Sequence, residues 1–213
     1  MINDFDKATK IAEYLLQIKA VKLQPDTPFH WSSGWKSPIY CDNRKTLSYP
    51  AIRTFIRQCF AELILDLYGK PSMIAGVATG GIAIGVLVAQ ELGIPFVYVR
   101  SSSKGHGLKN QIEGDITTGD NVVVIEDLIS TGGSSLKAVE ALRAENLNVK
   151  GVLAIFNYGF DVAVDAFKEA NCPIHELSNY ETLIEVALKQ NIISEKEVES
   201  LHSWRENPSE WGQ

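Results

Sequence analysis

Two acidic residues and a loop rich in Gly, Ser and Thr follow a strongly apolar run near the middle of the chain. The run VVVIED ends on Glu126 and Asp127, and the loop extends from Leu128 to Ser134. Backbone amides and hydroxyls in such a loop, at the start of a helix, suit a phosphate monoester. Gly132 and Gly133 let the backbone approach a ligand closely. Two carboxylates beside an anion site suit the hydroxyls of an attached sugar, so the segment predicts a sugar phosphate site.

An ordinary strand-to-helix turn, with capping serines and solvated acids, would use some of the same residue types. The order of apolar strand, acid pair and Ser-Thr-Gly-Gly-Ser is more specific than such a turn requires. It also differs from the Walker loop, because no Gly-Lys-Ser/Thr is present, and from GxGxxG. We therefore interpret Val122–Ser135 as a phosphate loop of another kind.

A second polar segment, SSSKGHGLKN, places Lys104 and His106 among glycines. Such a segment cannot bury itself stably, so we expect it to be mobile until a ligand orders it. Closing over a site would then exclude water from the reaction. By themselves, Lys104 and His106 favour an ordinary surface loop.

The elements that would position these loops are predicted from Met73 onwards. Short apolar runs near residues 73, 96, 122, 151 and 173 alternate with helical stretches near Ile82–Leu92, Ser134–Glu145 and Val162–Ala170. The runs are continuous, which is typical of strands buried on both faces of a parallel sheet in an α/β fold. Ligands bind beyond the carboxyl ends of such strands, where the loop Ser130–Ser134 would lie.

The remaining segments are predicted to frame this sheet. Spacing of apolar residues predicts an amphipathic helix over Phe5–Lys19. Val21–Asn43 is interrupted by Pro and Gly, which favours short strands and loops of a small covering lobe. A helix should begin with Ser48 as N-cap and Pro50 in its first turn, and end near Tyr68. Two closing helices and an irregular tail, WRENPSEWGQ, should follow Tyr180.

Composition limits the classes of protein and of partner. The 213 residues, 45% hydrophobic and 22% charged, suit one soluble globular domain. A net charge of −6 argues against a nucleic-acid partner. The chain shows neither the layout of a signal peptide nor an apolar run long enough to span a bilayer, so we expect a cytoplasmic protein with no membrane partner. Cys41, Cys59 and Cys172 have no metal-ligand spacing and are expected to be reduced thiols.

Four segments together resemble the orotate phosphoribosyltransferases, within the type I phosphoribosyltransferase family. VVVIEDLISTGGSS is similar to the motif with which that family binds 5-phosphoribosyl 1-diphosphate (PRPP). YVRSSSKGHGLKNQIEG, Tyr98–Gly114, resembles its mobile catalytic loop, and GVATGGIAIG, Gly76–Gly85, its pyrophosphate-binding turn. FHWSSGWKSPIYCDNR, Phe29–Arg44, resembles the N-terminal segment that covers orotate.

This resemblance implies the fold, the reaction and the partners. It implies one phosphoribosyltransferase domain over residues 1–213, in which residues of about 1–45 contribute an N-terminal hood. The sheet would be central, mostly parallel and five-stranded, with flanking helices. The reaction would join orotate to the ribose of PRPP and release pyrophosphate, in the synthesis of pyrimidine nucleotides. A homodimer would place the loop of one subunit over the site of the other.

The resemblance also implies a role for each matching residue. Glu126 and Asp127 should bind the ribose 2- and 3-hydroxyls, and Leu128, Ile129, Ser130, Thr131, Gly132, Gly133 and Ser134 the 5-phosphate. Thr79, Gly80 and Gly81 should donate backbone N–H groups to the pyrophosphate. Arg100, Lys104 and His106 are the expected catalytic cations that bind the same group. Ser130, Ser33, Lys36 and Tyr40, with the hood up to Arg44, are the expected orotate-binding residues.

The chemistry of the reaction agrees with this set of residues. Positive charge develops on the ribose and negative charge on the leaving pyrophosphate, so positioning and cationic donors are what lower the barrier. Mg²⁺ is the expected cofactor and should bind through PRPP rather than in a cage of protein ligands. The pattern departs from some members of the family, which carry a lysine at the position of Gly80 and another at the position of Ser101.

Two other functions share parts of this pattern. A phosphoribosyltransferase acting on a purine or on uracil would carry the same PRPP motif, although the KGHG loop and the hood segment favour orotate. A regulator that binds PRPP without catalysis would carry the same fold. That regulator would be expected to have an appended DNA-binding segment, and the N-terminal part shows neither a basic patch nor a helix-turn-helix pattern.

Overall fold

A central sheet of six strands carries the site, in the order β10-β9-β8-β5-β6-β7. The computed structural model describes residues 4–30, 36–101 and 111–211. The strands of the sheet are β5 (Met73–Val77), β6 (Phe96–Val99), β7 (Ile112–Glu113), β8 (Asn121–Ile129), β9 (Asn148–Asn157) and β10 (Ile174–Asn179). All neighbouring pairs are parallel except β6 and β7.

The predicted parallel sheet is confirmed, with one strand more than expected. Five parallel strands correspond to the five apolar runs, and β7 adds a sixth at the edge. β7 runs antiparallel to β6 because the chain leaves β6 at Val99 and returns along it, pairing Val99 with Ile112 and Tyr98 with Glu113. A strand of two residues is too short to show a periodic pattern of apolar residues, so no sequence pattern predicts it.

The continuous apolar runs exist because the sheet is covered on both faces. Along β8, Val122 and Val124 pack into one core cluster, whereas Val123 and Ile125 pack into the other. Successive side chains of a strand point to opposite faces, so a strand buried on both sides must be apolar at every position.

Seven helices are described around this sheet, and they form the two covering layers. They are α1 (Phe5–Gln17), α2 (Pro50–Tyr68), α3 (Gly80–Leu92), α4 (Gly133–Ala144), α5 (Asp161–Glu169), α6 (Tyr180–Lys189) and α7 (Glu195–Glu206). Residues of α4 and α5 line one core, and residues of the other five helices line the opposite core. None of these helices is long and apolar enough to cross a membrane.

The start of α2 differs by one residue from the prediction. Tyr49, not Ser48, is the N-cap, and Ser48 instead ends a 3-10 helix over Asn43–Ser48. Pro50 takes the first helical position because its missing N–H is not needed there, and this leaves the residue before it as the cap.

The N-terminal segment between α1 and the 3-10 helix forms a nested hairpin. β1 (Val21–Leu23) pairs antiparallel with β4 (Ile39–Cys41), and inside it β2 (Phe29–His30) pairs with β3 (Lys36–Ser37). The 3-10 helix then connects this hairpin to the central sheet, since it packs against β8 and α3. The predicted short strands are thereby confirmed.

The last helix, α7, packs against the N-terminal hairpin through Trp204. Trp204 of α7 is fully buried among the aromatic rings of Tyr158, Phe160 and Tyr180. Its indole Nε1 donates to the carbonyl oxygen of Lys36 in β3 at 3.2 Å. The tail was expected to be irregular from Trp204 onwards, but α7 continues to Glu206 because this ring belongs to the core.

Candidate active site

A cavity of about 380 Å³ opens at the carboxyl ends of β5 and β8. Glu126, Asp127, Leu128 and Ser134 form one wall, and Ala78, Thr79 and Gly80 form another. Cys41, Asp42 and Arg44 from the N-terminal segment form the third. Three stretches that are far apart in sequence therefore meet at the edge of the sheet where ligands of α/β proteins bind.

The carboxyl group of Glu126 is held inside the protein. Glu126 is 5% exposed, and its Oε1 accepts the backbone N–H of Asp127 at 3.0 Å. Its Oε2 accepts the hydroxyl of Ser135 at 3.2 Å. Both oxygens thus have donors within the chain, which explains how a carboxyl group is accommodated at so buried a position.

The two neighbouring carboxyl groups change each other's ionisation. Burial, and after it the hydrogen bond and charge of Asp127, raise the pKa of Glu126 to about 9. Burial also raises the pKa of Asp127, although the hydrogen bond with Glu126 and the nearby Arg44 guanidinium act against that rise. Two neighbouring carboxyl groups that are both largely buried do not both ionise readily, so the pair holds a proton at neutral pH.

The carboxylate of Asp127 lies directly over the start of α3. A Cβ atom at Gly80 would overlap the carboxylate atoms of Asp127. Gly80 is the first residue of α3, and Thr79 before it is exposed on the cavity wall. A side chain at position 80 and this conformation of Asp127 therefore exclude each other, which accounts for glycine at this position.

The phosphate loop joins β8 to α4 through a left-handed residue. Gly132 has φ +81°, and a Cβ atom there would come within 2.8 Å of the ring of Phe167. α4 begins at the next residue, Gly133. The predicted glycine-rich turn at a helix start is therefore formed as expected.

Hydrogen bonds attach the N-terminal segment to the acid pair. The side-chain Nδ2 of Asn43 donates to the carbonyl oxygen of Asp127 at 2.6 Å, and the Cys41 thiol donates to Oδ1 of Asn43 at 3.2 Å. Beside them Arg44 pairs with Asp42 at 2.7 Å. The segment whose role in covering orotate is implied by the family resemblance is thus connected to the end of β8.

A second, smaller cavity of about 90 Å³ adjoins the first and shares Ala78 and Ser134 with it. Arg100, at the end of β6, lies on its wall, and Nη1 of this residue is 3.5 Å from Oε1 of Glu113. Lys137 of α4 lies on the same wall. Two cationic side chains therefore converge beside the larger cavity.

Several predicted residues come together at these cavities, and others do not. Thr79, Gly80, Glu126, Asp127, Leu128 and Ser134 line the larger cavity, and Arg100 lines the smaller one. Neither cavity is lined by Gly81 in α3, Ile129 at the end of β8, Ser130, Thr131 and Gly132 in the loop after it, or Gly133 at the start of α4. Lys36 and Tyr40 lie on β3 and β4. Ser33, Lys104 and His106 lie outside the described residues.

Sequence reasoning missed two residues with a place at the site. Ser135 donates to Glu126 from nine positions away, and no local pattern signals such a contact. Lys137 follows Ser134 by three positions, which places the two side chains on one face of α4, so helical spacing was a signal that was available.

Known proteins resemble this chain over most of its length. Residues 45–189 match the phosphoribosyl transferase domain. The orotate phosphoribosyltransferase of Phocaeicola vulgatus is 58% identical over 200 residues, which is 94% of this chain and 94% of that protein. The one of Porphyromonas gingivalis is 54% identical over 202 residues, 95% and 96% of the two chains. The crystal structure of orotate phosphoribosyltransferase from Aeropyrum pernix, 29% identical, superposes with a TM-score of 0.75 over 86% of this chain and 99% of that one.

Proposed function

The chain belongs to the orotate phosphoribosyltransferase family, and from this premise we propose that the cavity at the acid pair is where PRPP and orotate react. The protein is an enzyme that transfers the 5-phosphoribosyl group of PRPP to N1 of orotate, giving orotidine 5'-phosphate and pyrophosphate. The observation that carries the assignment of the site is the meeting of the phosphate loop, the Thr79–Gly80 turn and the N-terminal segment around one cavity.

Asp127 is the acid we assign to direct contact with the ribose. Its carboxylate is partly exposed at the cavity, whereas both oxygens of Glu126 already accept hydrogen bonds within the chain. Asp127 would accept hydrogen bonds from the ribose 2- and 3-hydroxyls. Glu126 would orient Asp127 and, when PRPP binds, would also accept a hydrogen bond from these hydroxyls. Leu128–Ser134 would then bind the 5-phosphate through backbone N–H groups and hydroxyls.

Cations and backbone donors would surround the leaving group. Thr79–Gly81 lies at the start of α3, where backbone N–H groups have no partners within the helix. Arg100 lies beside this turn, and Lys104 and His106 would reach the same pyrophosphate from their loop. These donors stabilise the negative charge that develops as the bond between ribose C1 and the pyrophosphate oxygen breaks.

The hairpin is the proposed side of the orotate pocket. Lys36 and Tyr40 belong to it, Ser33 lies within its segment, and Ser130 would approach from the phosphate loop. Orotate carries a carboxylate that must be paired when it leaves water, so polar and cationic donors are needed there. N1 of orotate would then attack ribose C1 on the face opposite the departing pyrophosphate, with inversion and without a covalent enzyme intermediate.

Mg²⁺ is the proposed cofactor, and the donors at the cavity suit it in a supporting role. No group of three or more His, Cys, Asp or Glu side chains in the described part of the chain could hold a metal by itself. Carboxylate oxygens of Asp127 would hold Mg²⁺ together with PRPP oxygens and water, as this ion prefers. Bound there, the ion would neutralise charge on the leaving pyrophosphate.

The assembly and the location of the enzyme are part of the proposal. A homodimer in which Lys104 and His106 serve the partner's site would close each site from outside. Three free cysteines, Cys41, Cys59 and Cys172, suit a reducing compartment, and we propose the cytoplasm. The acidic net charge of −6 supports small-molecule substrates rather than nucleic acid or membrane partners.

The assay that tests the reaction follows the loss of orotate absorbance on mixing the protein with orotate, PRPP and Mg²⁺. Adenine, guanine and uracil serve as competing bases under the same conditions. We expect loss that depends on PRPP, with the other three bases inert. Turnover of another base would reassign the substrate, and PRPP binding without turnover of any base would favour the non-catalytic regulator.

A further inference from the structure

Lys137 lies on a cavity that no role assigned above explains. The smaller cavity is enclosed by the apolar side chains of Val77, Val99 and Ala138, and its polar wall consists of Arg100, Ser101, Ser134 and Lys137. Its volume of about 90 Å³ is far below that of the neighbouring cavity, which is about 380 Å³. It is therefore sized for a small group rather than for a base or a whole sugar phosphate.

The charges around this cavity favour an anion. Arg100 and Lys137 share the cavity, and among the described residues no acidic side chain lines it. Glu113 approaches Arg100 only at 3.5 Å, and the described part of the chain contains no ion pair of Lys137. Two cations that converge on a partly enclosed space repel each other unless a negative charge lies between them.

The position of the cavity identifies which anion this is. Ala78 and Ser134 line both cavities, so the smaller one opens directly beside the Thr79–Gly80 turn. We propose that Lys137 is an additional substrate-binding residue, which with Arg100 binds the terminal phosphate of the PRPP diphosphate and of the pyrophosphate product. This proposal rests on the proposed function, since it extends the diphosphate end of the same site.

Position on α4 explains how a residue outside the phosphate loop reaches this group. Ser134 and Lys137 are three residues apart on one helix, so both side chains lie over the same end of β5 and β6. Lys137 is exposed, and its flexible side chain leaves the ammonium group able to reach an oxygen at the cavity mouth.

Titration of pyrophosphate and Mg²⁺ into the full-length protein, followed by calorimetry, tests this inference without requiring turnover. Lys137→Gln removes one charge-assisted hydrogen bond to pyrophosphate. We therefore expect this variant to bind pyrophosphate about tenfold more weakly than the parent. Lys137→Arg should retain most of the affinity because it keeps the charge. Lys168→Gln, an exposed lysine of α5, is the matched control and should bind as the parent does.

Steady-state kinetics supply the readout that separates this role from a general one. In Lys137→Gln the KM for PRPP in the forward reaction, and for pyrophosphate in the reverse reaction, should rise while the KM for orotate stays unchanged. Unchanged pyrophosphate affinity, or an equal loss of affinity for all substrates, would overturn the role of Lys137. A parent that binds pyrophosphate but does not consume orotate would instead overturn the proposed function, and the calorimetric comparison would still decide on Lys137.

Discussion

Neighbouring acids on β8 differ in how the protein holds them, and this difference divides their work. Glu126 is buried with both oxygens satisfied, whereas the Asp127 carboxylate lies at the cavity over Gly80. A buried and hydrogen-bonded acid fixes geometry, and an accessible one meets the ligand. Each residue therefore has its own testable consequence.

Asp127→Asn should weaken PRPP binding by about tenfold, because an amide replaces one of the acceptors of the ribose hydroxyls while the volume is kept. Calorimetric titration with PRPP measures the effect. Asp66→Asn, at an exposed position of α2 that does not line the cavity, provides a matched control. An affinity equal to that of the parent would contradict contact with the ribose.

Glu126 should make the stability of the ligand-free protein fall as pH rises. Its folded pKa of about 9 lies above the ordinary value of 4.5, so between these limits the folded state holds a proton that the unfolded state releases. The contribution of Glu126 to the free energy of unfolding is then fully present below about pH 4.5. It is lost as the pH rises towards 9, with a slope of up to about 1.4 kcal/mol per pH unit. Urea unfolding from pH 5 to 9 should show this decline for the parent relative to Glu126→Gln.

A control variant isolates the effect to the buried acid. Glu140 is exposed on α4, so Glu140→Gln should follow the pH dependence of the parent. If the parent and Glu126→Gln kept a constant difference in unfolding free energy across this range, the buried proton would not exist.

At the scale of elements, the parts of the fold that the sequence predicts are those whose burial forces a pattern. β8 was predictable because both of its faces are covered, so Val122–Ile125 had to be apolar throughout. The phosphate loop was predictable because its acids, glycines and hydroxyls follow that strand directly. Asp127 and Gly80 lie on different elements. Only the packing of α3 against β8 shows that the Asp127 carboxylate occupies the space that a side chain at position 80 would need.

The elements that escaped prediction are fixed by tertiary contacts. β7 was not predicted, and for β2 and β3 short strands were predicted but not how they pair; each is two residues long, and its pairing depends on where the chain returns. The role of Trp204 in supporting β3 joins positions 168 residues apart, and no local signal predicts such a contact. Site residues on these elements, Lys36 among them, were therefore the hardest to place.

Trp204→Phe tests whether α7 supports the hairpin. The substitution removes the indole N–H that donates to Lys36 and leaves a smaller ring in the core, which should lower the free energy of unfolding by about 2 kcal/mol. Urea denaturation measures this change. Trp211→Phe changes a partly buried ring on the tail and should have a smaller effect. Equal losses in the two variants would contradict a special role for the contact with β3.

At the scale of the whole molecule, the proposed dimer makes each site depend on two chains. Lys104→Ala should retain PRPP binding and lose most turnover, because its contact is made mainly in the transition state. Asp127→Asn instead impairs PRPP binding in the site of its own chain. A mixed dimer of these two variants would contain one intact site, built from the Asp127 of one chain and the Lys104 of the other.

Mixing the two variants should therefore restore activity. At a PRPP concentration far below the KM of the Asp127→Asn variant, random reassociation after mild dissociation should add about a quarter of the parent activity, since half of the dimers are mixed and each contains one intact site out of two. Either variant reassociated with itself is the control. Absence of recovery, with mixed dimers verified by differential tagging, would mean that each loop serves its own subunit.

The contacts of the first helix with the last third of the chain determine the order in which a newly synthesised protein can become complete. α1 packs against β10 and α6, and the Ser178 hydroxyl donates to the carbonyl oxygen of Ala8 at 2.9 Å. α1 is synthesised before β10 and α6, so it cannot complete its packing until both of them have been made. Its apolar face stays open in the meantime, so the nascent chain is exposed to aggregation there until the sheet is nearly finished.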